Sequence, residues 1–153
     1  ALALDRPLLP VSTLQVLALR APIGAGRVLA SIDARMGEVY AGAFEQRDGQ
    51  WQPLSTEVVG APDAIDVSFV AGDWHGVGTG YAAGEGALAA RLQTSLVGVD
   101  AQALPRASDV LTLALAAHAR GEAIAPELVE PAYLRNNVAL TLVEQQALRA
   151  SRR

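Results

Sequence analysis

Residues 28–44 read VLASIDARMGEVYAGAF, and their alternation decides the fold. Val28, Ala30 and Ile32 fall on one face of an extended strand. Val39, Ala41 and Ala43 alternate in the same way, set against Tyr40 and Phe44 on the opposite face. Between the two runs stand Asp33, Arg35 and Glu38, with Gly37 to release the turn. The pattern predicts an antiparallel hairpin with a charged tip. Such a tip either holds a phosphate or cation, or simply faces water.

Outward from this hairpin, Asp48-Gly49 is a second turn signal, because both residues tolerate positive φ. WQPLSTEVV (51–59) then reads as a third strand, with Pro53 confined to an edge or bulge. Residues 27–59 are therefore expected to form a three-stranded meander. Upstream, ALAL (1–4) looks like the last turn of a helix already under way, and LLPVS (8–12) is extended. Ser12 and Gln15 fit a capping box for a helix to about Ala21 that buries Leu14, Leu17 and Ala18. PIGAG (22–26) reads as a hinge, and a domain boundary is placed there.

Downstream, Pro62 to Ile65 predicts a short helix, VSFVAGD (67–73) a strand, and DWHG, with His75, a loop. VGTG (77–80) reads as a strand end or turn, GEGALAARLQ (84–93) as a helix started by Glu85, and SLVGVD (95–100) as a strand. Ser108 is expected to cap a helix with apolar positions at Val110, Leu111, Leu113, Ala114 and Ala117, stopped by Gly121. A meander followed by mixed strands and helices predicts an α/β fold, a mixed sheet flanked by helices. The ribonuclease-H-like fold is built this way.

Composition narrows the function. The 153 residues suffice for a real core, and 51% are hydrophobic, too many for a disordered chain. Net charge is -4, a mildly acidic balance that does not suggest a basic nucleic-acid face, and the use of Arg for all 12 basic residues reads as coding bias rather than function. The absence of Cys removes disulfides, thiolate zinc sites and Cys nucleophiles, and suits a reducing cytoplasm. No apolar run approaches the ~20 residues that span a bilayer, and no signal peptide is visible.

The chemistry-bearing patterns are sparse. Asp33 and Glu38 offer carboxylates, but no second and third acid stand at matching strand positions for a two-metal site. His75 and His118 do not share the i, i+4 spacing of a helical zinc pair. No Gly-x-Ser-x-Gly elbow is present. GVGTGYAAGEG (76–86) reads either as a tight turn or as a degenerate phosphate loop, with Gly78, Thr79 and Gly80 as its candidates beside Asp33 and Gly37. YLRNNVAL (133–140) reads either as a turn or as a docking surface, with Arg135, Asn136 and Asn137 joining Arg35 and Glu38 as interaction candidates.

VSTLQ, VLASIDARMGEVYAGAF, VGTGY and PAYLRNNVAL, in that order, resemble the TsaB (YeaZ) family, once grouped with glycoprotease-like M22 peptidases. The resemblance covers about residues 1–140. It implies two ribonuclease-H-like halves of the actin and Hsp70 ATPase type. Residues 1–21 would be a remnant of the first half, 27–140 the second, and 141–153 a basic helical tail. It implies a cytoplasmic, non-catalytic scaffold in making N6-threonylcarbamoyladenosine in tRNA, with no cofactor of its own. The implied partners are a TsaD-like transferase and a TsaE-like ATPase, with homodimers, indirect tRNA contact and no membrane. In working ATPases of this superfamily small glycines follow the Asp of this hairpin. Arg35 and Met36 stand there instead and crowd a phosphate, so no hydrolysis is expected. The alternative is a nucleotide hydrolase or M22-type peptidase. Direct tRNA binding by ALRASRR (147–153) is a third reading, weaker than a solvated tail.

Overall fold

The computed structural model describes residues 1–135. Its spine is the hairpin read from the sequence: β1 (Arg27–Arg35) pairs antiparallel with β2 (Glu38–Arg47), Val28 opposite Phe44 and Asp33 opposite Val39. The third strand follows on the far edge of β2 in two pieces, β3 (Gln50–Pro53) and β4 (Val58–Gly60), both antiparallel to it. The sequence predicts one continuous strand. Pro53 ends β3, Leu54 N–H still donates to the Ala43 carbonyl at 2.9 Å, and residues 55–57 leave the ladder before Val58 rejoins it.

On its other side β1 receives β5 (Trp74–Val77) in parallel, and β6 (Leu96–Asp100) lies parallel beyond that. The order β3-β2-β1-β5-β6, with β4 beside β2, is a mixed sheet with an antiparallel half and a parallel half. This is the expected α/β, ribonuclease-H-like arrangement.

The strand alternation sorts two cores onto the two faces. Leu29, Val39, Ala41 and Ala43 meet Trp74, Tyr81 and Leu88 on one face. Val28, Ala30, Phe44 and Val77 meet Leu14, Leu17 and Ala18 on the other. Those last three belong to α1 (Thr13–Ala18). Ser12 caps α1 as expected, accepting the Gln15 N–H at 3.1 Å, but Gln15 does not close the box. Its Nε2 donates to the Trp51 carbonyl at 2.8 Å and ties α1 to β3. The helix is shorter than predicted, because residues 19–21 tighten into i→i+3 bonds.

Several local expectations are corrected. Residues 62–65 form one turn, closed by Ile65 N–H to Ala61 C=O, and not a helix. Residues 67–73 are not a strand: Asp66 Oδ1 accepts both the N–H and hydroxyl of Ser68, and Val70 N–H turns back to Val67. These local bonds replace a ladder. The strand begins at Trp74 instead, which moves His75 from a loop into β5. The helix expected over 84–93 contracts to α2 (Ala87–Arg91), because Gly84, Glu85 and Gly86 all take positive φ. α3 (Ala107–Ala119) starts before Ser108, so Ser108 is not its cap, and only Ala117 of its predicted apolar positions is buried. Val110, Leu111 and Leu115 face outward.

Candidate functional site

The tip of the β1–β2 hairpin has an unusual backbone. Arg35, Met36 and Gly37 take φ of 63°, 58° and 79°, three left-handed residues in a row, two of which carry a Cβ. Each such non-Gly residue costs about 1–2 kcal/mol. The ladder also slips between Asp33 and Arg35, so that Ala34 has no partner in the register. Side chains hold this tip in place. Asp33 Oδ1 accepts the Arg35 N–H at 2.8 Å, and Oδ2 lies 3.4 Å from Arg35 Nη1. From a hundred residues away, Arg135 Nη2 donates to the carbonyls of Ala34 (3.2 Å) and Arg35 (3.4 Å) and pairs with Glu38.

The glycine-rich loop lies beneath the same strand. Thr79 Oγ1 accepts the Asp33 N–H at 3.1 Å. A Cβ on Gly78 would stand 2.2 Å from the Ser31 carbonyl oxygen, and one on Gly80 2.0 Å from Ser31 Oγ. The space these glycines leave is therefore filled by β1 itself. A Cβ on Gly76 would meet the Tyr81 ring at 2.6 Å. Tyr81 is buried, its hydroxyl donates to the Leu29 carbonyl at 2.9 Å, and burial pushes its phenol well above the usual range.

Of the sequence-predicted residues, the structure brings Asp33, Gly78, Thr79 and Gly80 together around Ser31. Gly37 is on the same hairpin, where an added Cβ would meet nothing within 4 Å. Glu38 and Arg135, expected as interaction candidates, are paired with each other, while the Arg35 side chain is 87% exposed. Asn136, Asn137 and the basic tail lie outside the described residues. Among those described, no group of three His, Cys, Asp or Glu gathers to hold a metal. The Asp33 carboxylate is engaged by Arg35, and no second acid contacts it.

Sequence reasoning missed Ser31 and Tyr81. Ser31 is fully buried and its hydroxyl donates to the Tyr40 carbonyl at 2.9 Å. A small polar residue inside an apolar alternation, VLASI, was the available signal. Beside the site an apolar groove of about 660 Å³ runs between Pro10, Val11, Ile32 and Tyr40 on one side and Val129 and Leu134 on the other. Glu57 reaches its wall and accepts the Ser12 hydroxyl.

Comparison with known proteins gives this geometry a setting. The family described as TsaD, tRNA N6-adenosine threonylcarbamoyltransferase, matches residues 1–142. The chain is 41% identical over 145 residues to the tRNA threonylcarbamoyladenosine biosynthesis protein TsaB of Escherichia coli K12, covering 91% of this chain and 62% of that protein. It is 32% identical to TsaB of Haemophilus influenzae over 148 residues, 90% of this chain and 61% of the relative. The chain thus spans about three fifths of the length of these curated relatives. Among solved structures, YeaZ from Pseudomonas aeruginosa superposes with a TM-score of 0.70 at 41% identity, over 86% of this chain and 61% of that one. A second crystal structure, of a protein described as similar to peptidase YEAZ from Pseudomonas aeruginosa, gives 0.71 at 41% identity, over 87% and 61%.

Proposed function

We infer the function from one premise, that the chain belongs to the TsaD-type family and, within it, to TsaB (YeaZ). On that premise it is a non-catalytic scaffold in the formation of N6-threonylcarbamoyladenosine in tRNA, supporting a TsaD-like transferase alongside a TsaE-like ATPase. The observation that carries this reading is the likeness to TsaB along almost the whole chain. Residues 1–21 would descend from the first ribonuclease-H-like half of a two-lobed protein and 27–140 from the second. In this structure α1 nevertheless packs into the core of the sheet. The place of action would be the cytoplasm, and no described helix is long and apolar enough to cross a membrane.

The site supports the non-catalytic part of the reading. A phosphate loop needs backbone open to its ligand. Here Gly78 and Gly80 pack against Ser31, and Asp33 is occupied by Arg35. The loop geometry is inherited, and its glycines serve the packing of β1.

Two measurements test this. A tagged full-length protein should co-purify with its TsaD-like partner and raise threonylcarbamoyl transfer to tRNA when added to that partner. Failure of both would remove the scaffold reading. Calorimetry on the chain should give no ATP heat. Tight binding abolished by Asp33→Ala would instead favour a nucleotide hydrolase.

A further inference from the structure

We propose that Arg135 is a latch that sets the conformation of the β1–β2 tip, coupling the order of residues 34–38 to the docking of the segment that carries it. The proposal rests on the contacts of one guanidinium and is independent of the partner reading.

Within the hairpin, Asp33 bonds Arg35, but the residues that follow are strained. Arg35 and Met36 sit in the left-handed region that side chains disfavour, and Ala34 is skipped by the ladder. Two carbonyls, of Ala34 and Arg35, are offered to the Arg135 side chain. Arg135 meets both through Nη2, brings Nη1 to 3.8 Å from Met36 Sδ, and pairs with Glu38 across the turn. One planar cation thus touches four of the five residues from Ala34 to Glu38. Its side chain is only 16% exposed, whereas Arg35 above it is 87% exposed. The latch lies underneath, and Arg35 and Met36 project outward on a backbone that it fixes.

The segment bringing Arg135 to the tip is lightly anchored. Ile124 and Leu8 exchange both backbone bonds at 2.9 Å, and a single turn at Pro126–Leu128 follows. From Val129 to Arg135 no regular element intervenes. The guanidinium is its main polar attachment to the sheet. The two carbonyls and the Glu38 carboxylate are all met by one nitrogen, Nη2, while Nη1 turns to Met36 Sδ.

The test is limited trypsin digestion of the full chain, which cuts after Arg and has no Lys to cut. The ratio of cleavage after Arg35 to cleavage after Arg47 is read by mass spectrometry. Arg47 precedes the Asp48-Gly49 turn and makes no contact with Arg135, so it reports general opening. Cleavage of a transiently opened site follows its opening equilibrium, and losing charge-assisted bonds should raise the ratio about tenfold in Arg135→Ala. Glu38→Gln should raise the ratio roughly threefold, since only one of the contacts is lost. An unchanged ratio in Arg135→Ala overturns the latch. Equal acceleration at both sites also overturns it, since Arg135 would then serve the whole fold. If the alanine variant does not fold, an unchanged ratio in Glu38→Gln decides against the proposal.

Discussion

The backbone N–H of Asp33 donates to Thr79 Oγ1 at 3.1 Å, across 46 residues of chain. The end of β1 and the glycine-rich loop are therefore one structure. Thr79→Val keeps the shape and removes the acceptor. It should destabilise the chain by about 1–2 kcal/mol, while Thr79→Ser stays near the wild type. Urea denaturation of the two variants decides this; equal midpoints would mean the bond contributes nothing.

The glycines of this region should divide sharply by context. Gly80→Ala drives a Cβ to 2.0 Å from Ser31 Oγ and 2.9 Å from the Ser31 carbonyl carbon. Overpacking of this kind typically costs 1–3 kcal/mol or more, so about 3 kcal/mol is expected. Gly37→Ala meets nothing within 4 Å, and at φ 79° it should cost only about 1 kcal/mol. A thermal shift ranking Gly37→Ala as the worse of the two would contradict the packing of the loop on β1.

Tyr81 makes an alkaline prediction. Burial raises its phenol above the unfolded value of about 10. Between that value and its folded one, the unfolded chain loses a proton that the folded chain keeps. The stability due to the neutral phenol is thus complete below about pH 10 and is lost as pH rises beyond it. Of the three tyrosines, Tyr81 should ionise only on unfolding. Tyrosinate absorbance at 295 nm against far-UV circular dichroism checks the order. Tyr81→Phe should flatten the alkaline decline.

Leucines of α1 and α3 should respond unequally. Leu17 of α1 is 0% exposed, and Leu17→Ala should cost about 2–5 kcal/mol. Leu115 of α3 is 61% exposed, and Leu115→Ala should stay within about 0.5 kcal/mol. A large loss at Leu115, measured by the same denaturation, would show that the outer face of α3 is covered in solution.

What the sequence disclosed was governed by periodicity. The faces of β1 and β2 were legible residue by residue, because a two-sided sheet imposes strict alternation. The Ser12 cap and the Asp48-Gly49 turn, φ 51° and 75°, were legible because their chemistry is local. VSFVAGD misled for the opposite reason: its apolar run suits a strand, but Asp66 binds Ser68 first. α3 misled because Ala and Leu surround it on every side, leaving no stripe to assign. In the site, Asp33 and Gly78–Gly80 were named, but their use of Ser31 was not readable. Nor was the pairing of Arg135 with Glu38, which no spacing rule connects.

The parallel pairing of β1 with β5 sets the timetable on which the chain folds. β1 finds β2 almost at once, through the tip at Met36-Gly37, but must wait for Trp74–Val77 to supply its other neighbour. Closing so long a connection is slower than zipping a hairpin. During synthesis the backbone of Val28–Ala30 stays an open edge for that interval, and Val39, Ala41 and Ala43 lack their cover. Misassembly of a nascent chain is therefore expected to begin at this edge, which closes when residue 77 has docked, while the apolar cover is complete only after Leu88.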